Sequence, residues 1–386
     1  MKKLCKALAL TLCTVMLLST LTVVGDPGGK TVLTLEEAKR IALDNDVQFK
    51  LQQSYIQQKS DDYEEVYDDN SKSDNTSYKS VSDRAAAEVG RKMAIENAAF
   101  AVRQEVFTRN DLKRLSDYNV TTSYYGVMKA NYTLDDKKRA IDTAKKNLDV
   151  AKIKFEQGLI TKNGLSQIEN AYTASQTEYN KAFSELQNSM STLSRNIGKT
   201  LDVFNTEIDM TINTPDVKSL DLNKIKEDYI KNSEGLYLLK ESLEIAEYKQ
   251  DLTQEKYDYY YKRNPSKTRL IIKDLNDLLE KANRDYDKAK YKFDEAEKEL
   301  DVTLNSLYTG INTTLEAIES LQKNVDDTKT TVEQDKIRLE LGLISKIAFD
   351  NSESDLRDLE NKLNTTMISL NDQYLALTQY SYLQEK

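Results

Sequence analysis

The sequence predicts an all-α fold: two tandem repeats of long antiparallel coiled-coil helical hairpins. Three observations predict it. Apolar residues recur at three–four spacing over very long stretches. Only three prolines, Pro27, Pro215 and Pro265, interrupt 386 residues, far below ordinary usage. The glycine-centred segment KFEQGLITKNGLSQIE at 154–169 returns at 338–353 as RLELGLISKIAFDNSE. Six of its sixteen positions are identical when Gly158 is set on Gly342.

In chain order, residues 1–25 read as an export signal. Lys2, Lys3 and Lys6 precede an apolar run from Ala7 to Val24, and Val23 and Gly25 sit at −3 and −1 of a cut before Asp26. The run is 18 residues, the lower limit for a spanning helix, so an uncleaved anchor is the alternative. Cys13 lies inside the run after Leu12, a poor context for lipid attachment. Both cysteines, Cys5 and Cys13, fall in this segment, so the mature chain has none and offers no disulfide or cysteine-metal site. Its location is expected to be the cell envelope.

The rest, residues 26–386, is expected to be a single domain of two repeats, about 33–201 and 220–381. LTLEEAKRIALDND at 33–46 opens the first: Thr34 caps, Glu37 follows three residues on, and Leu35, Ala38 and Ala42 share a face. LDLNKIKEDYIKNS at 220–233 echoes it, with Asn232 in the place of Asn45. Residues 58–83 carry no clean period and read as a polar loop or frayed helix. From about Ala85 a helix runs to Gln157, its seam formed by Ile141, Ala144, Leu148, Ala151 and Phe155. After the reversal the seam resumes at Tyr172 and ends at Gly198. In the second repeat a helix from about Arg269 carries Leu275, Leu279, Ala282, Leu300, Leu304, Leu307, Ile311, Leu321 and Val325. A return helix carries Leu356, Leu359, Leu363, Leu370 and Tyr374.

The doubled motif reads as a tight reversal between antiparallel helices. Gly158 or Gly342 takes the left-handed conformation that closes one helix. Two residues cross the bend, and Thr161 or Ser345 caps the next. The apolar pairs Leu159–Ile160 and Leu343–Ile344 exceed what a turn requires. With Lys162 and Lys346 beside them, they are the candidate partner-docking residues.

Charge and composition exclude several classes. With 55 Lys and Arg against 64 Asp and Glu, the net charge is −9, and −12 once the three leader lysines are removed; such a chain does not favour nucleic acid. There is no histidine and no glycine-rich phosphate loop, so no enzyme, cofactor or metal site is expected. The acid run Asp61, Asp62, Glu64, Glu65, Asp68 and Asp69 lacks the spacing of a calcium loop and reads as solvated surface. Tyr257, Tyr259, Tyr260 and Tyr261 are read as helix packing rather than an interfacial aromatic belt.

The entry LTLEEAKRIALDND, the tip KFEQGLITKNGLSQIENA with its echo, and the long heptad helices resemble the TolC-like outer-membrane efflux factor family over most of residues 33–381. The resemblance implies a homotrimer whose twelve long helices form a tunnel. An inner-membrane transporter would feed it through a periplasmic adaptor (membrane fusion) protein docked on the tips. Carried over, the tip residues are Gly158, Leu159, Ile160, Thr161, Gly342, Leu343, Ile344 and Ser345. Two departures stand out. The Asp that the family usually places six residues after the tip glycine is Gly164 here, and Ala348 in the echo. Neither 58–83 nor 257–274 holds the 9–11-residue alternating strands of a membrane barrel. The expected function is a TolC-like component of an envelope efflux or export system; the alternative is an exported coiled-coil spacer or scaffold.

Overall fold

A computed structural model describes residues 31–72, 77–263 and 269–379. The export-signal reading of 1–25 lies outside them. A short strand β1 (Thr31–Leu33) leads into α1 (Leu35–Asn45), α2 (Val47–Asn70), the long α3 (Val81–Glu156) and α4 (Lys162–Ile197). Strand β2 (Thr206–Ile208) and a 3-10 turn at Val217–Ser219 follow, then α5 (Leu222–Asn232), α6 (Glu234–Arg263), the long α7 (Arg269–Glu340) and α8 (Lys346–Thr378). Helix lengths run 11, 24, 76 and 36 residues in the first four and 11, 30, 72 and 33 in the second four. At 1.5 Å per residue, α3 and α7 are each more than about 100 Å long.

The seam explains why such helices are stable. In α7 each seam residue, from Leu275 through Ala282, Leu300, Leu304, Ile311, Leu321 and Val325 to Leu339, is buried or half-buried, while most of the intervening charges face solvent. The same holds in α4, where Ala182, Leu186, Met190, Leu193 and Ile197 are buried at three–four spacing. Burying a large aliphatic side chain contributes about 2 kcal/mol, so stability accrues along the length rather than in one globular core. The seam fades toward the first reversal: Phe155 is exposed.

The core is thickest at mid-length. Ala38 and Ala42 of α1 lie against Val120, Tyr124, Val127 and Met128 of α3 and Leu193 and Ile197 of α4. Tyr229 of α5 lies with Leu304 and Ile311 of α7 and Leu370 and Leu377 of α8. The small residues of α1 let it sit close; Ala38 is fully enclosed. Beside it β1 and β2, which no sequence pattern announces, pair in parallel with Leu33 opposite Ile208. The buried Tyr124 hydroxyl lies within hydrogen-bonding reach of two carbonyls at this ribbon, Leu33 O at 2.9 Å and Asp209 O at 2.8 Å. Burial pushes its pKa well above the ordinary tyrosine value.

Helices α4 and α2 meet near-continuously. Helix α4 closes on Gly198 with φ of 63°, and Asn45, at the end of α1, donates through Nδ2 to Ile197 O at 3.0 Å and Gly198 O at 3.2 Å. Asp46 then caps α2 through Phe49 N. The joint in the second half differs. Asn232, the echo of Asn45, bonds back to Asp228 O in its own helix, and its carbonyl accepts instead from Arg114 Nη2 of α3 at 2.7 Å.

Two expectations change. The segment 58–83 is not a loop throughout: α2 remains helical to Asn70, its six carboxylates from Asp61 to Asp69 exposed on one polar surface. Lack of period marks solvent on most sides here, not lack of helix. Helix α3 also begins earlier than Ala85, at Val81, where Ser80 caps through Asp83 N. Among the described residues β1 and β2 are the only strands. Ten residues separate Asn70 from Val81 and five separate Arg263 from Arg269. Two spanning strands of about 9–11 residues each fit neither gap.

Replacing Ile311 with Asp should cost at least about 3 kcal/mol, since a charge would be buried without a partner. Glu316→Lys, on the exposed face, should stay within about 0.5 kcal/mol. Denaturant midpoints check both, and equal losses would mean that the seam does not carry stability. Gly198→Ala meets two penalties together: the positive φ, worth about 1–2 kcal/mol, and a Cβ only 2.9 Å from Asn45 Cβ. It should therefore destabilise more than Gly158→Ala, where nothing lies within 4 Å.

Candidate docking tips

Both reversals are built the same way. At the first, the Gly158 amide donates to Phe155 O at 2.9 Å and the Leu159 amide to Lys154 O at 2.8 Å. At the second, Gly342 donates to Leu339 O at 2.9 Å and Leu343 to Arg338 O at 2.8 Å. This paired pattern satisfies the last carbonyls of a helix and requires a left-handed residue. Gly158 and Gly342 supply it with φ of 73° and 69°. Open space surrounds both, so conformation alone selects glycine here. Thr161 Oγ1 then accepts from Gly164 N at 3.1 Å and Ser345 Oγ from Ala348 N at 3.2 Å. Both caps form without the carboxylate that would reciprocate at Gly164 and Ala348.

The apolar residues divide by position. Leu159 is 68% exposed and Leu343 70%, whereas Ile160 and Ile344 are half-buried. Lys162 is exposed. Lys346 is exposed too, but Asp350 holds it at 2.7 Å and it lies 4.8 Å over the Phe349 ring. The hydrogen bond to Asp350 raises its pKa above the ordinary lysine value.

More apolar surface lies at the tips than the sequence alone pointed to. Ile153 and its counterpart Ile337 are more than half exposed, and so are Leu341 and Ile347 at the second tip. Off-seam apolar residues in the last and first turns were the available signal.

The two tips lie at the same level. Lys129 Nζ of α3 donates to Asp372 Oδ2 of α8 at 2.6 Å; the two residues stand 29 and 30 positions from Gly158 and Gly342. Arg139 Nη2 reaches Asp358 Oδ1 at 2.9 Å, 19 and 16 positions from the same glycines. Asn361 Nδ2 also donates to Asp136 Oδ1. The hairpins therefore run side by side, and both candidate docking segments are presented at one end.

The other candidates resolve as packing. Tyr260 is buried and donates to Glu88 Oε1 at 2.8 Å; Tyr257 and Tyr261 stack at 5.6 Å, and Arg263 covers Tyr259 at 4.3 Å. Among the described residues no group of three or more acidic side chains converges to hold a metal ion, and no helix is long and apolar enough to cross a membrane.

Gly164 can accept a side chain, since an added Cβ would lie 3.5 Å from Thr161 Oγ1, an ordinary contact. Gly164→Ala should therefore raise stability by about 0.5–1 kcal/mol, seen as a higher denaturation midpoint. A lower midpoint would show that the tip needs glycine for more than its caps.

No family model and no curated protein matches the chain by sequence. Solved structures do match its fold. The Campylobacter jejuni CmeC outer membrane channel aligns with a TM-score of 0.58 at 12% identity, over 90% of this chain and 85% of that one. The outer membrane protein VceC from Vibrio cholerae aligns at 0.54 and 12%, over 90% and 94%. The open state of the Neisseria gonorrhoeae MtrE outer membrane channel aligns at 0.55 and 11%, over 90% and 88%. Near-complete coverage gives one conclusion: this chain has the fold of the TolC-like outer-membrane efflux channels, and its connections of ten and five residues leave no room for membrane-spanning strand hairpins.

Proposed function

We propose that the chain is a non-enzymatic TolC-like component of an envelope efflux or export system. In this reading a leader at 1–25 directs export, and residues 33–201 and 220–381 are duplicated repeats of one domain. The chain assembles as a homotrimer whose helices line a conduit. Its tips dock on the helical hairpin of a periplasmic adaptor that couples it to an inner-membrane transporter. One observation carries the reading: two reversals, level with each other at one end, both keep Gly-Leu-Ile-(Thr/Ser)-Lys and leave a leucine about 70% exposed. A turn needs only the glycine and the cap, and paired apolar tips in water are accounted for by a partner.

The short connections at the other end favour a second reading. With ten and five residues where a spanning hairpin would stand, the chain supplies no barrel of its own. Either another component carries the conduit across the membrane, or the chain serves as an exported scaffold.

Because the only cysteines are Cys5 and Cys13, the mature chain accepts single reporter cysteines. Leu159→Cys and Leu343→Cys should crosslink to an adaptor in the native envelope, whereas Val302→Cys, exposed at mid-helix, should not. Serine at Leu159, Ile160, Leu343 and Ile344 together should abolish adaptor recovery while helix content stays intact. Adaptor recovery by the quadruple variant, or none by the parent chain, would establish the scaffold reading instead.

A further inference from the structure

A crevice of about 450 Å³ lies between α3, α6 and α7 at the end remote from the tips. Val89 stands about 69 positions before Gly158 on α3, which places the crevice roughly 100 Å from the docking segments. Its apolar walls are Val89, Gly90 and Met93 of α3, Ile245 of α6, and Leu275 and Leu278 of α7. Interiors this well patterned usually close to crystal-like density. This one stays open because α3 presents Ala85, Ala86 and Gly90 where larger seam residues would fill the space. An added Cβ at Gly90 would meet nothing within 4 Å.

The polar side chains of the lining have one sign. Lys249, Lys256 and Lys281 line the crevice together with Asn97, Thr253 and Tyr257, and no carboxylate does. That is unexpected in a chain with more acidic than basic residues. The ammonium groups are balanced from outside the lining: Lys249 by Asp285 at 2.7 Å, Lys256 by Glu88 at 3.4 Å and Glu255 at 3.1 Å. Such pairs, partly open to water, exchange partners at little cost. The volume falls within the range of small-molecule sites.

We propose that this crevice binds a single-chain anionic amphiphile, its alkyl body against Val89, Met93, Ile245 and Leu278 and its acidic head among Lys249, Lys256 and Lys281. Apolar walls recognise the chain by burial, and the lysines set the sign of the head while their stems extend along the wall. The site is independent of the tips and of any adaptor.

Calorimetric titration of the exported chain with sodium dodecanoate, below its micelle-forming concentration, tests this. Dodecyl maltoside and dodecyltrimethylammonium serve as neutral and cationic controls of equal chain length. Dodecanoate should saturate at one molecule per chain and bind at least about tenfold more tightly than either control. Gly90→Leu should remove binding by filling the crevice, and Lys281→Glu should weaken it about tenfold, both with unchanged helical circular dichroism. Equal binding of all three amphiphiles, or binding that survives Gly90→Leu, would overturn the proposal. So would absence of binding, or its loss as the chain self-associates, which would assign the crevice to a second copy.

Discussion

Antiparallel register between very long helices is the constraint on which the rest of this structure depends. Each seam is narrow, so a slip of one residue would turn buried Leu and Ala positions toward water along a whole helix. The reversals at Gly158 and Gly342 set that register. Their left-handed glycines close one helix and their hydroxyl caps open the next, with no free length between. Glycine at 198 does related work for another reason: there the backbone is left-handed and Asn45 leaves no room for a side chain.

Stability is distributed accordingly. Helices α3 and α7 act as full-length spines, and the shorter helices stack end to end against them. At mid-length, where α4 hands over to α2, the structure spends its largest side chains: Tyr124, Met128, Leu193 and Ile197 in the first half, Tyr229, Ile311, Leu370 and Leu377 in the second. Toward the tips burial thins, Phe155 becomes exposed, and polar links such as Arg139 with Asp358 take over between hairpins. Thinning of the core and accumulation of exposed apolar residues coincide at the end proposed to meet a partner. A segment that must both hold a turn and offer an apolar surface cannot bury that surface within its own hairpin.

The two ends pose opposite problems. At the tips a short reversal carries more apolar area than it needs. At the other end α2 passes to α3, and α6 to α7, through gaps too short for membrane strands. Ala85, Tyr260 and Leu275 form a small buried cluster there, beside tyrosines that stack on one another. The likeness to CmeC, VceC and MtrE is one of helical architecture.

Much was legible in the sequence because its causes are local. Three–four spacing determines which face of α4, α7 and α8 is buried; αL glycine and the hydroxyl cap three residues later determine the reversals; Thr34 determines the start of α1. Each depends on residues within one or two turns. The tertiary structure alone decided what depends on distant partners. It decided that Val47–Asn70 is helical despite its polar sequence, because one side of α2 rests on α3. It decided that Thr31–Leu33 pairs with Thr206–Ile208, a three-residue ladder too short to leave a pattern. It decided that Asn45 caps α4 while its echo Asn232 turns back on Asp228 and offers its carbonyl to Arg114. It also decided that Ile153, Ile337, Leu341 and Ile347 are exposed: sequence spacing places them off the seam, but only the packing of neighbouring helices shows that no other described element covers them.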